Sequence, residues 1–89
     1  MNKDRRKQIA NAIEELQKAR DIIDNARGEL ESAKDDEQEY KDNMPENMQN
    51  GDKGNMADEA ISNLESAVDE CDNAMSAIDE AISNAEGVE

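Results

Sequence analysis

Apolar residues recur along this chain at alternating steps of three and four, the spacing of one face of an α-helix. The pattern runs through two long segments separated by one break. In the first segment Ile9, Leu16, Ile23 and Leu30 occupy one seven-residue track, followed by Glu37. Three residues further on, Ala12, Ala19, Ala26 and Ala33 form a second track, followed by Tyr40. The two tracks together predict a helix over about residues 4–42, with large and small side chains alternating along the seam it offers to a partner helix.

In the second segment Ala57, Leu64, Cys71, Ile78 and Ala85 share a track; Ala60, Ala67, Ala74 and Ala81 share the next; Ile61, Val68, Met75 and Ile82 run beside it. The recurrence of Ala60-Ile61-Ser62-Asn63 as Ala81-Ile82-Ser83-Asn84 is the same periodicity, three heptads on. A helix over about 55–86 follows. Asn55 is suited to cap its start and Gly87 to stop it, with Asp58 and Glu59 in the first turn, where the helix dipole favours acids.

Between the segments, residues 43–54 hold the only proline, an Asn-Gly pair and a second glycine. These are turn formers. Met44 stands before Pro45 and is pushed away from helical geometry. The run Pro45-Glu46-Asn47-Met48 suits a single helical turn. A break this short folds the second helix back along the first. The expected fold is therefore all-α: one antiparallel, coiled-coil-like two-helix hairpin, a rod of roughly 50 Å at about 1.5 Å per residue. Three apolar tracks on the second helix exceed what one partner covers, so two hairpins are expected to pair into a four-helix bundle. The expected bundle core is Leu16, Ile23 and Leu30 with Leu64, Val68, Cys71, Met75, Ile78 and Ile82.

Composition sharpens this picture. Eighty-nine residues allow one domain, and Tyr40 is the only aromatic, so the core must come from aliphatic side chains. One cysteine excludes an internal disulfide, and no histidine is present. A general base near neutral pH is therefore missing, and Cys71, without a histidine partner, reads as a small core residue. Neighbouring acids such as Asp35-Asp36 and Asp79-Glu80 do not face one another on a helix. The Asp- and Asn-rich stretch from Asp42 to Glu59 lacks the ligand spacing of an EF-hand. No catalytic residue, cofactor or metal is expected. No segment approaches the roughly 20 apolar residues of a membrane span, and no signal peptide is read.

Ten basic against 24 acidic residues leave a net charge of −14. The first 41 residues carry −2 of it and the rest −12. Such an acidic half repels nucleic acid and anionic membrane. The charges also keep to tracks. Arg6, Ile13, Arg20, Arg27, Lys34 and Lys41 line one edge of the first helix; Asp58, Glu65, Asp72, Asp79 and Glu86 line one edge of the second. In an antiparallel pair these edges meet, which would set register at a few tenths of a kcal/mol per exposed pair. Nine acids between Asp58 and Glu86 outnumber the available cations. Asp58, Glu65, Asp69, Glu70, Asp72, Asp79 and Glu80 are thus candidates for docking a protein with a basic surface. Their spacing along the axis, one per roughly 4.7 Å, is too sparse to imitate duplex DNA at one per about 1.7 Å, and two hairpins together reach about 2.3 Å.

The run Tyr40-Lys41-Asp42-Asn43-Met44-Pro45-Glu46-Asn47-Met48-Gln49 resembles a Y-x-D-N-M-P-E-N-L/M-Q signature found, ahead of an acidic helix, in small acidic helical proteins of bacteriophages and prophages. The resemblance spans residues 38–86. It implies a phage or mobile-element origin and a host-cytoplasmic setting, and transfers no catalytic residues. By analogy with other small acidic phage proteins, it implies an inhibitor of a host defence protein. The bend is then a candidate recognition tip, formed by Tyr40, Met44, Pro45, Glu46 and Met48, against the plainer expectation that Tyr40 and the methionines Met44, Met48 and Met56 close the end of the hairpin. The alternative to the inhibitor is a coiled-coil adaptor or assembly subunit acting through its apolar tracks.

Overall fold

The computed structural model describes residues 2–88 and contains three helices in chain order: α1 (Lys3–Asp42), α2 (Glu46–Gln49) and α3 (Asp52–Glu86). α1 and α3 pack against each other along their lengths, and the short α2 sits at the bend against α3. The result is a rod measuring 69 × 15 × 13 Å. It exceeds the expected 50 Å because α1 holds 40 residues and α3 holds 35.

α1 begins where Asn2 caps it: the side-chain oxygen accepts the Arg5 amide at 2.8 Å, satisfying one of the free donors of the first turn. It ends before Pro45, with the Asn43 amide donating to the carbonyls of Glu39 and Lys41. Pro45, at φ −56° and ψ 147°, then starts the single turn of α2. The expected turn is thus present, with Pro45 as its cap rather than its first residue.

α3 starts three residues earlier than expected. Asn55 is not its cap; its amide already donates to the Gly51 carbonyl at 3.0 Å, and Gly51 caps the helix through extended backbone. Gly54, read as part of a loop, lies buried inside the first turn of α3. A β-carbon there would fall 1.8 Å from the Gln49 carbonyl oxygen. Glycine therefore permits the end of α2 to cross α3 at backbone distance. Gln49 braces the same corner, its side-chain amide donating to the Met44 carbonyl at 3.0 Å.

The seam on α3 is the expected one, built from the Leu64 and Val68 tracks. Half-buried positions on α1 also repeat every seven residues, from Ile9 through Leu16, Ile23 and Leu30 to Glu37, with buried Met44 just past the helix end. A seven-residue repeat kept through four heptads favours a left-handed supercoil of the pair. The second α1 track of the seam, however, is Ile13, Arg20, Arg27, Lys34 and Lys41, all half-buried. The alanines expected there do not fill it: Ala12, Ala26 and Ala33 are exposed, and only Ala19 is half-buried. Turning α1 by one track, about 50°, to bring them in would expose Ile13 and swing the guanidinium groups away from the acids of α3. An alanine methyl is too small a return for that loss.

The core is thin. Among the described residues Met44, Ala57, Val68 and Met75 are the buried apolar ones, and of these Ala57 alone, the smallest, is almost wholly enclosed. The other residues expected in the core, Leu16, Ile23, Leu30, Leu64, Cys71, Ile78 and Ile82, are half-buried in the single hairpin. Two helices enclose a line rather than a volume, so each seam residue keeps one flank open.

Candidate interaction edges

The register of α1 against α3 brings the basic and acidic tracks together. Arg20 Nε donates to Asp79 Oδ1 at 2.7 Å, with Nη2 to Oδ2 at 3.3 Å. Seven residues on, and seven back along α3, Arg27 Nε donates to Asp72 Oδ1 at 2.5 Å and Nη2 to Oδ2 at 3.4 Å. Both are two-point fork contacts, the geometry that best suits guanidinium and carboxylate. Arg27 also reaches Glu31 on its own helix, Nη1 to Oε2 at 2.8 Å. The Lys41 ammonium pairs with Asp58 nearer the bend. Lys34 and Glu65 occupy the rung between, and no ion pair joins them.

The guanidinium pKa values of Arg20 and Arg27 are raised above the ordinary arginine range. The hydrogen bonds to Asp79 and Asp72 are the largest cause, followed by the charges of those same carboxylates. A cation whose pKa is raised on folding contributes stability wherever arginine is charged in the unfolded chain. That contribution is lost only as pH climbs through the arginine range, so the cationic side of the ladder is constant near neutral pH.

Of the seven acids expected to form a docking face, Asp58, Asp72 and Asp79 are thus committed within the molecule. Glu65, Asp69, Glu70 and Glu80 are exposed and, among the described residues, join no ion pair. These four do not share one face. Heptad positions set Glu65 and Asp69 on the ladder side, Glu80 on the back of α3, and Glu70 toward the opposite side. The ladder side gains carboxylates that the charge count concealed. Asp21 and Asp24 of α1 lie close enough to Arg20 to raise its pKa further, and exposed Asp35 continues their side of the helix. The near-neutral balance of the first 41 residues hid these acids. Their signal was positional, since Asp21 and Asp35 directly follow Arg20 and Lys34 of the basic track and Asp24 lies one helical turn beyond Arg20.

At the bend the five residues considered as a tip separate. Met44 is buried, whereas Tyr40, Pro45, Glu46 and Met48 are exposed. Met44 closes the hairpin end as expected; Met56, at 69 % exposure, does not. Tyr40 is half uncovered and borders, with Met56, Ala57 and Ala60, an open cleft of about 370 Å³ that runs across both helices.

Among the described residues no group of His, Cys, Asp and Glu is placed to hold a metal ion, Cys71 is a half-buried free thiol, and no helix is long and apolar enough to cross a membrane. No protein-family model, no curated protein and no solved structure matches the chain.

Proposed function

We propose that this chain is a non-catalytic binding protein, a small acidic accessory protein of phage type, that docks its ladder-side acidic edge on the basic, nucleic-acid-binding surface of a host defence protein and inhibits it. The observation that carries this reading is the shortfall of cations. Only three acids of α3 are answered from α1, leaving Glu65 and Asp69 beside Asp21, Asp24 and Asp35 at exposed positions. A cluster of unmatched carboxylates on a rigid rod raises the local concentration of a cationic partner and speeds its encounter. The resemblance of Tyr40–Gln49 to the phage signature supports the target class and the host cytoplasm as the setting.

The ladder also bears on imitation of nucleic acid. With three acids of Asp58–Glu86 neutralised, six remain, or one per roughly 7 Å of axis, well below the one per about 3.4 Å of a single DNA strand. The edge therefore acts as an electrostatic patch rather than a copy of a phosphate backbone.

Reversal of Asp72 or Asp79 would break the hairpin's own pairs and confuse folding with binding. The decisive variant is Glu65→Lys with Asp69→Lys and Asp35→Lys, compared with Glu59→Lys and Glu80→Lys on the back of the rod. Pull-downs from host lysate at low and high salt, read by mass spectrometry, should show one partner lost to salt and to the first variant but retained by the second. A partner that survives both salt and the first variant would refute the electrostatic reading. Such a partner, lost instead on Ile22→Asn with Met56→Asn, two exposed apolar positions outside the seam, would favour the apolar adaptor, for which the uncovered seam flanks are the supporting observation.

A further inference from the structure

In an antiparallel pair the equivalent flanks of both helices fall on the same side. The ladder occupies one side of this hairpin. The alanine tracks of α1 and α3 therefore share the other. Ala12, Ala26, Ala33 and Ala81 are exposed there, and Ala60, Ala67 and Ala74 are half-buried. Ile22, Tyr40 and Met56, three of the five exposed large apolar residues among the described residues, belong to the same side by their heptad positions. The cleft bounded by Tyr40, Met56 and Ala60 confirms that the two alanine flanks open together.

Two further observations say what covers this side. The first is charge. Of 24 acids, Glu15, Glu29, Asp36 and Glu70 fall there at its outer rims, and half-buried Glu37 borders the cleft, which Lys53 also lines. A chain of net charge −14 thus keeps one long side nearly free of carboxylates. A cationic partner would find little to hold there, whereas a second polyanion can approach on this side without opposing acid to acid.

The second is area. The chain exposes 6550 Å² for 9.9 kDa, whereas a compact monomer of that mass exposes about 5,200 Å². The surplus is about 1,300 Å², and a standard interface removes about 800 Å² from each partner. A face with the 69 × 15 Å outline of the rod is large enough to supply it. Small side chains in its middle allow helices to approach closely, and a two-fold pairing needs only that the one patch meet itself.

We infer that the alanine-lined side of the hairpin seats a second copy of the chain, two hairpins stacking face to face into a four-helix bundle with both acidic edges turned outward. The inference does not rest on the proposed docking function, because the acids used for docking lie on the opposite side. It also predicts the opposite response to salt. Screening weakens attraction to a cationic partner but relieves repulsion between two polyanions, so added salt tightens this dimer.

Sedimentation velocity on the full chain, from about 1 to about 100 µM, tests the inference. Wild type should move from monomer to twice the monomer mass across that range, at lower concentration in 0.5 M than in about 0.05 M salt. Ala26→Glu with Ala81→Glu places charge on the face at two exposed positions with a good helix former, so circular dichroism should be unchanged. That variant should weaken association at least about 100-fold. Ser76→Glu, on the ladder side, and the Glu65, Asp69 and Asp35 reversals should leave the dimer intact. Tyr40, the only aromatic residue, reports separately: acrylamide should quench it less in the dimer than in the monomer. A wild type that stays monomeric at about 100 µM in high salt overturns the inference. A dimer indifferent to Ala26→Glu with Ala81→Glu, its Tyr40 still freely quenched, overturns it equally.

Discussion

α1 and α3 share one seam and nearly one length, yet they contribute to it in different ways. No residue of α1 is buried, whereas α3 buries Gly54, Ala57, Val68 and Met75. α3 meets the seam with two apolar tracks. α1 meets it with one apolar track and one of arginine and lysine, whose stems cover the seam while their charged ends reach the acids beyond it. The difference separates two jobs that a longer-cored protein combines. Apolar burial by α3 supplies cohesion without much choice of alignment, because its tracks repeat every seven residues. The ladder from α1 supplies part of the choice: a slip of one heptad in one sense would set Lys41 against Gly51, whereas the opposite slip would set Arg20 against Glu86 and keep an acid at every rung, so that slip is opposed by the short bend rather than by charge.

The largest test of this contrast lies at the bend, where α3 is tightest. Gly54→Ala should destabilise by about 3 kcal/mol, since its new β-carbon would lie 1.8 Å from the Gln49 oxygen and backbone must move. Gly51→Ala, whose β-carbon would meet its nearest atom at 3.5 Å, should cost only about 1 kcal/mol, the loss of a better N-cap residue without a clash. Urea midpoints for the two variants measure both; equal midpoints would mean that α2 does not hold the corner. Next in size, Met75→Ala on α3 should cost about 2 kcal/mol, and Leu16→Ala on α1, half-buried, about 1 kcal/mol. If Leu16 proves the costlier position, the division between the helices is wrong.

The smallest effect is expected from the ladder. Arg27→Leu exchanges a partly exposed ion pair for apolar fill at a seam position, and Asp72 is exposed enough to return to water. The melting temperature should change by no more than a few degrees, in either direction. Register should loosen instead, seen as faster amide hydrogen exchange along α1 at unchanged helix content. A large fall in melting temperature would show that the pairs hold the helices together rather than align them.

Much of the fold was legible in the order of residues, for reasons that act locally. Seven-residue spacing, Pro45 and the asparagine–glycine turn require helices and a break wherever they occur, so α1 fell within a residue of its expected start and at its expected end. That the Arg20 and Asp79 tracks meet was legible too, since each lies on one edge of its helix and corresponding edges adjoin in an antiparallel pair. What sequence order does not carry depends on the partner. The alanine track is the more apolar flank of α1, yet α3 draws in the basic one. Gly54 stands among turn formers, and the approach of Gln49 that requires it is invisible in sequence. A count of acids along α3 does not separate Asp58, Asp72 and Asp79, which are engaged, from the rest, nor does it reach Asp21, Asp24 and Asp35 on α1.

By itself the sequence determined periodicity, the bend and the sign of the charge, since each is a property of a residue and its near neighbours along the chain. Only the tertiary structure decided which flank of α1 is covered, which carboxylates find a cation and which side of the rod stays bare. Those outcomes depend on the rotation of one helix against the other, and that rotation is set by all rungs and seam residues at once.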